Sequence, residues 1–224
     1  MKTTLYTLTV LLFLTSCDFK PKSFDQMMKD VREDLAKEAE ISNAKTLAWE
    51  SLVDNLYRMA DTNQAVAFRK INNLISSDTS LDQYKISVLH FIKGDIYYHI
   101  DSLQKSVTEF TAAGRTYNMG APKDLAARAG AYLKLEQYNN AFADLNKAAE
   151  INYGYLWNVG NYYEIIGNID SAISNYTRLY NRDTTFYKFC QDRAAELKKS
   201  NTKLLTELVY RDRKRAVILL KGVE

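Results

Sequence analysis

Two thiols and two imidazoles are the side chains of this 224-residue sequence best suited to chemistry: Cys17, Cys190, His90 and His99. A thiol is nucleophilic only as a thiolate, which needs a cationic or hydrogen-bonding neighbourhood. Cys190 lies instead in Phe186-Tyr187-Lys188-Phe189-Cys190, an aromatic stretch that reads as the site of a buried, inert thiol. His90 and His99 stand nine residues apart. On a helix that spacing sends them to opposite-leaning faces, whereas a helical metal pair needs a four-residue spacing. The sequence has no phosphate-binding loop, no G-x-S-x-G elbow and no Cys/His metal spacing. Its carboxylates fall at solvated helix positions. These residues predict no enzyme, no cofactor and no metal site, and the chemistry left is that of Cys17.

What precedes Cys17 sets its role. Lys2 gives a positive start, and Leu5 to Leu14 is apolar apart from Tyr6, Thr7 and Thr9. The run is too short to span a bilayer, which takes about 20 apolar residues, and it reads as a signal peptide over residues 1–16. Its end, Leu14-Thr15-Ser16-Cys17, resembles the lipobox of bacterial lipoproteins. The resemblance implies a diacylglyceryl group on the Cys17 thiol, cleavage after Ser16 and acylation of the new amino terminus. It also implies a cell-envelope protein anchored to a membrane, inner or outer, with its domain outside the cytoplasm. The alternative is an ordinary cleaved signal with a chance cysteine. With lipid on Cys17, residues 17–22 form a tether and Cys190 has no partner, so the fold must stand without a disulfide framework.

The formal charge of +3 is too balanced to indicate nucleic acid. Basic residues concentrate late: Lys198 to Glu224 holds eight Lys/Arg against three Asp/Glu, including Arg211-Asp212-Arg213-Lys214-Arg215. That run suits either anionic head groups or the solvated face of a capping helix.

The positioning elements are helices. Gly (8) and Pro (2) are too scarce for the turns that short strands require, and apolar residues recur with helical period. Ser23-Phe24-Asp25-Gln26 and Ser80-Leu81-Asp82-Gln83 have the S-x-x-Q form of a capping box. The first predicts a helix carrying Phe24, Met27, Met28, Val31 and Leu35. A second is predicted over Asn43–Ala60 and a third carries Ala65, Phe68, Ile71, Leu74 and Ile75, with Asp61-Thr62-Asn63 between them as turn and cap. Beyond Thr185, helices are predicted over Tyr187–Lys199 and along Leu204, Leu205, Leu208, Val209, Ala216, Val217, Leu219 and Leu220.

Between these flanks lies a repeat. Small residues stand at Gly94, Ala129 and Gly160, and Tyr follows three later at Tyr97, Tyr132 and Tyr163. Then come Leu103, Tyr138 and Ile169; Ser106, Ala141 and Ala172; and the larger Phe110, Leu145 and Tyr176. The pattern resembles the tetratricopeptide repeat, a helix–turn–helix unit of about 34 residues. It implies an all-α solenoid: N-terminal helices with a degenerate hairpin over 23–83, three repeats over 84–184 and capping helices over 185–224. Small residues would let helix A approach helix B, the Tyr would fill the gap between hairpins, and Asp101, Glu136 and Gly167 would form tight turns. The alternative is an irregular helical bundle. Several positions depart from the family. Lys93 and Arg128 replace a Leu, His90 takes the Trp position, no Pro ends the B helices, and the link at Asn152–Trp157 is short by about three residues.

In that family the A helices line a groove for a peptide or partner helix. The inward positions here are Phe91, Asp95, Tyr98 and His99, then Lys123, Ala127, Gly130 and Lys134, then Trp157, Asn158, Asn161 and Glu164. Some relatives hold a peptide's terminal carboxylate with Lys and Asn. Phe91 and Ala126 occupy one such Lys position, and Asp95 and Gly130 an Asn position, so that clamp is absent. An aromatic, amide-bearing groove suits an unidentified protein or peptide partner; its rings could otherwise pack on N-terminal helices folded into it. The sequence therefore predicts a membrane-anchored interaction scaffold, with an immunity or inhibitor protein against a single toxin or enzyme as the alternative.

Overall fold

The computed structural model describes residues 24–116, 121–185, 187–199, 202–205 and 208. The signal peptide, Cys17, the tether, the Ser23 cap and the basic run from Arg211 lie outside these residues. The chain divides into two compact units, residues 1–52 and 53–224.

Helix α1 (Phe24–Thr62) is a single helix of 39 residues, where the sequence predicted two with a break near Asn43. No Gly or Pro interrupts it, and Ser42 and Asn43 are too weak as breakers to end it alone. In the first unit, Met28, Val31, Leu35, Ile41 and Leu47 are exposed. In the second, Val53, Leu56, Tyr57 and Ala60 are buried. The single residue Asn63 then separates α1 from α2 (Gln64–Ser77), its side chain accepting from the Val66 amide at 3.2 Å. Helix α3 (Gln83–His99) is capped by Asp82, whose carboxylate accepts from the Lys85 amide at 2.8 Å. The capping box expected at Ser80 does not form. Ser80 closes a turn instead, donating its amide (3.0 Å) and hydroxyl (2.5 Å) to Asp78.

Three helical hairpins follow as expected: α3 with α4 (Leu103–Thr116), α5 (Pro122–Lys134) with α6 (Tyr138–Ile151), and α7 (Leu156–Ile165) with α8 (Ile169–Tyr180). Helix α9 (Lys188–Leu197) packs on α8. Among the described residues there is no strand. Pro122 opens α5 at a position whose N–H would be unsatisfied anyway. The short link before α7 is a 3-10 turn, Tyr153–Tyr155, held by the Asn152 side chain on the Gly154 amide at 2.9 Å.

Each A helix ends in the same motif. Asp101, Glu136 and Gly167 take φ of 55°, 58° and 80°. Around them Ser102, Gln137 and Asn168 donate to the carbonyls of Tyr97, Tyr132 and Tyr163 at 2.8–2.9 Å. This left-handed cap satisfies carbonyls that the helix end leaves free. The repeated Tyr acts as predicted: Tyr97 stacks on Phe68 of α2 at 4.4 Å, and Tyr163 meets Phe142 of α6 at 5.6 Å.

Within a hairpin, closeness depends on one pair. A methyl on Gly94 would stand 2.7 Å from the Phe110 ring, and one on Gly160 would stand 2.3 Å from the Tyr176 ring. The middle repeat replaces glycine and ring with Ala129 and Leu145, both fully buried in one cluster. The Leu position lost to Lys93 and Arg128 is filled by ion pairs across the same hairpins. Lys93 Nζ lies 2.6 Å from Glu109, which also meets His90 Nδ1 at 2.7 Å. Arg128 grips Asp144 through two bonds of 2.7 Å and reaches Thr111 of α4 at 3.0 Å. In the third repeat the equivalent positions are the uncharged Val159 and Asn175.

Gly94→Ala should therefore lower stability by about 1–3 kcal/mol through overpacking, despite a helix-propensity gain of about 1 kcal/mol. Adding Phe110→Leu, which copies the middle repeat, should recover much of that loss as a measurable coupling in a denaturant-unfolding double-mutant cycle. Asp144→Ala should cost about 2–4 kcal/mol by stranding Arg128, whereas Arg128→Leu with Asp144→Leu should be near neutral.

Candidate protein-binding face

The A-helix residues expected to line a groove divide into buried and accessible sets. Phe91 is half-buried, 5.3 Å from Phe110, with Lys123 Nζ 5.5 Å above its ring. Lys123 is itself half-buried, and burial pulls its pKa down against the pull of Asp124. His99 and Lys134 are exposed. His99 Nδ1 lies 2.8 Å from the Asp95 carbonyl, and Lys134 sits 4.3 Å over the Tyr98 ring. Asn158 and Trp157 are half-buried, the indole 4.9 Å from both Tyr176 and Phe189.

Asp95, Tyr98, Ala127, Gly130, Asn161 and Glu164 are buried, which corrects their reading as an open lining. Tyr98 packs with Val107 and Ala131 between the first two hairpins. Burial raises the Asp95 carboxyl pKa, opposed by His99 and by a hydrogen bond from Tyr57 on the last turns of α1. Of the rings placed on this face, Tyr98 fills a gap between hairpins, while Phe91 and Trp157 are half-buried against neighbouring rings.

The polar centre of the face is Glu164, 0% exposed. Tyr176 donates its hydroxyl to Glu164 Oε2 at 3.0 Å, Arg193 of α9 donates Nε to Oε2 at 3.2 Å, and Arg193 Nη2 pairs with Oε1. Asn161 completes the group. With its amide turned to donate to Tyr176 Oη (2.7 Å) and its carbonyl to accept from Trp157 Nε1 (3.1 Å), every polar atom has a partner. Tyr176 is pushed far above its ordinary pKa by burial and then by the Glu164 charge. The pairing with Glu164 likewise raises Arg193.

A non-helical stretch of the chain lies on this centre. Residues 202–205 and Leu208 are not helical, which corrects the first positions of the helix expected along Leu204, Leu205 and Leu208; its remaining positions, from Val209 on, lie outside the described residues. Main-chain groups of Lys203 and Leu205 bond sideways instead. The Leu205 amide donates to Glu164 Oε1 at 2.7 Å, and the Lys203 carbonyl accepts from Arg193 Nη2 at 2.9 Å. Thr202 donates to the Glu196 carbonyl at 2.5 Å. Leu208, 3% exposed, joins the cluster of Ala126, Leu133, Val159 and Tyr162.

Sequence reasoning named Glu164 and Asn161 but missed Arg193, Tyr176 and Leu205 as their partners, and it missed Asp124. One signal was available. Glu164 stands in the column held by Tyr98 and Leu133 in the other repeats, and Asp124 in the column held by Leu89 and Tyr155. A carboxylate in an otherwise apolar column needs a local explanation. Glu164 has one in Arg193. Asp124 is 3% exposed with neither carboxylate oxygen hydrogen-bonded, and burial pushes its pKa up to about 6 against Lys123 and Arg128. Tyr155 is pushed up to about 12 by burial and by the Asp124 charge. Cys190 is fully buried in the α8–α9 cluster, as its aromatic neighbours predicted. Among the described residues, no group of His, Cys, Asp or Glu is placed to hold a metal ion.

No protein-family model matches the chain, and no curated protein matches it. Solved structures of tetratricopeptide proteins do. The Arabidopsis OM64 TPR domain is 21% identical, with a TM-score of 0.42, covering 50% of this chain and 97% of its own. YrrB, described as a TPR protein with an unusual peptide-binding site, is 19% identical, with a TM-score of 0.45, covering 65% and 80%. The MamA protein is 13% identical, with a TM-score of 0.41, covering 65% and 87%. The chain's own repeated hairpins, left-handed turns and small-against-large contacts define an all-α array of tetratricopeptide type.

Asp124 makes a pH-dependent prediction. Its folded-state pKa of about 6 exceeds the ordinary 3.8, so the folded state binds the proton more tightly than the unfolded chain. The contribution of Asp124 to stability falls as pH rises from about 4 to about 6, and the cost is fully present at pH 7. Asp124→Asn should raise stability at pH 7 by about 2–3 kcal/mol and have little effect at pH 4, read by denaturant unfolding at both values.

Proposed function

We propose that this chain is a lipid-anchored binding module of a bacterial cell envelope, without catalytic activity of its own, that captures extended segments of other proteins on its A-helix face. One observation carries the binding half: the face already accommodates a non-helical stretch of chain, using a main-chain bond to Glu164 and a pocketed leucine at position 208. Lipobox-like Leu14-Thr15-Ser16-Cys17 supports the anchoring half. Several acyl chains hold a protein at a bilayer where one does so only weakly, and confinement raises the effective concentration for partners in the same envelope.

Two measurements test this. Cys17→Ser should move the protein from the carbonate-washed membrane pellet to the soluble fraction; retention in the pellet removes the anchor. A photo-crosslinking residue at Lys134 or Asn158 should give discrete adducts in intact cells, while one at Lys147 on exposed α6 should not. Adducts independent of position would remove the A-helix face as the binding surface.

A further inference from the structure

The Glu164–Arg193 pair reads one edge of a peptide backbone. Arg193 Nη2 donates to the Lys203 carbonyl at 2.9 Å, and Glu164 Oε1 accepts the Leu205 amide at 2.7 Å. In an extended chain, the carbonyl of residue i and the amide of residue i+2 point to the same side. A fixed acceptor beside a fixed donor therefore matches any extended segment, whatever its side chains. Specificity enters three residues after the bonded amide, where Leu208 is buried against Ala126, Leu133, Val159 and Tyr162.

The clamp is preorganised. If the stretch left, Glu164 Oε2 would keep Tyr176 and Arg193 Nε, and Oε1 would keep Arg193 Nη2. Arg193 would also keep Glu196 at 2.8 Å. Departure opens one acceptor position, one donor direction and one apolar pocket, and strands no charge. The resident stretch is lightly held by comparison: residues 202–205 are not helical, and Lys203 and Leu204 are exposed. Segments with few buried contacts open at far lower free energy than the global fold.

We infer that Lys203–Leu205, together with Leu208, act as a resident pseudo-ligand of this clamp, and that the partner of the A-helix face is an extended protein segment that displaces them. The partner must offer a backbone amide to Glu164, a carbonyl to Arg193 two residues earlier, and a leucine-sized side chain three residues later. This inference rests on the proposed binding function of the same face. It is tested on the purified full chain, so its failure is distinguishable from failure of the anchor or of the crosslinking pattern.

The probe is a fluorescent peptide with the sequence of residues 202–208 of this chain, added to the detergent-solubilised lipoprotein and followed by anisotropy. Leu205→Pro deletes the donated amide from the resident copy, and Leu208→Asp empties the pocket. Each variant should bind the peptide at least about tenfold more tightly than the unmodified protein, the fold-change expected when a competing internal ligand is removed. In the unmodified protein, the Leu205 amide should exchange its hydrogen at least about tenfold faster than the Leu145 amide in α6, reporting a local opening. Equal peptide affinity in all three proteins, or none in any, overturns the inference. So does exchange of Leu205 only with global unfolding. Loss of cooperative unfolding in both variants would identify the stretch as part of the core and overturns it as well.

Discussion

The contact between Gly160 and the ring of Tyr176 sets more of this structure than any other pair. A 2.3 Å approach to a missing methyl means that helices α7 and α8 are as close as a glycine allows, and the phenol ring fills the space between them. The same ring carries its hydroxyl to Glu164. Packing and polar chemistry thus share a side chain: the separation that suits the ring also fixes where the buried carboxylate finds its donor. Arg193 and the stretch at Lys203–Leu205 are placed by that carboxylate. In the first hairpin, Gly94 and Phe110 make the same close contact without a hydroxyl, and the polar centre does not recur there.

Charge is used sparingly inside the array, with unequal results. Glu109 shows the favourable case: burial pushes its carboxyl up, but hydrogen bonds from His90 and Lys93 outweigh this and hold its pKa below the ordinary value. Arg128 and Asp144 form a two-pronged bond that also ties in the preceding hairpin through Thr111. Such bonds resist removal of one partner more than of both, so the ion pairs can replace the usual leucine only as pairs. Asp124 lacks an equivalent partner.

The architecture was legible because its rules are local. Small residue, tyrosine and turn recur at fixed offsets, and each had one mechanical job that the structure bears out at Gly94, Tyr97 and Asp101. The helix break expected near Asn43 failed because polar residues weaken a helix without ending it. The cap expected at Ser80 moved to Asp82 because both residues can cap, and only Asp82 stands immediately before the helix. The binding face was harder to read. Inward positions could be counted off the repeat, but whether Asp95 or Asn161 met solvent depended on residues far along the chain. No periodic signal links Leu205 to Glu164.

That separation has a consequence for the order in which the structure assembles. Arg128 and Asp144 are 16 residues apart in sequence, as are Gly160 and Tyr176. Each hairpin can therefore close as soon as its own short segment of chain is free, and arrays of such neighbours form fast because little loop entropy is lost. The bonds that complete the polar centre span 29 residues to Arg193 and 41 to Leu205. Growing from its amino end, the chain would first raise a finished ladder of hairpins with the Glu164 carboxylate still uncovered, and only then lay its own tail across it. During that interval the face is open, and a strand from another molecule would meet it before the chain's own segment is there to compete.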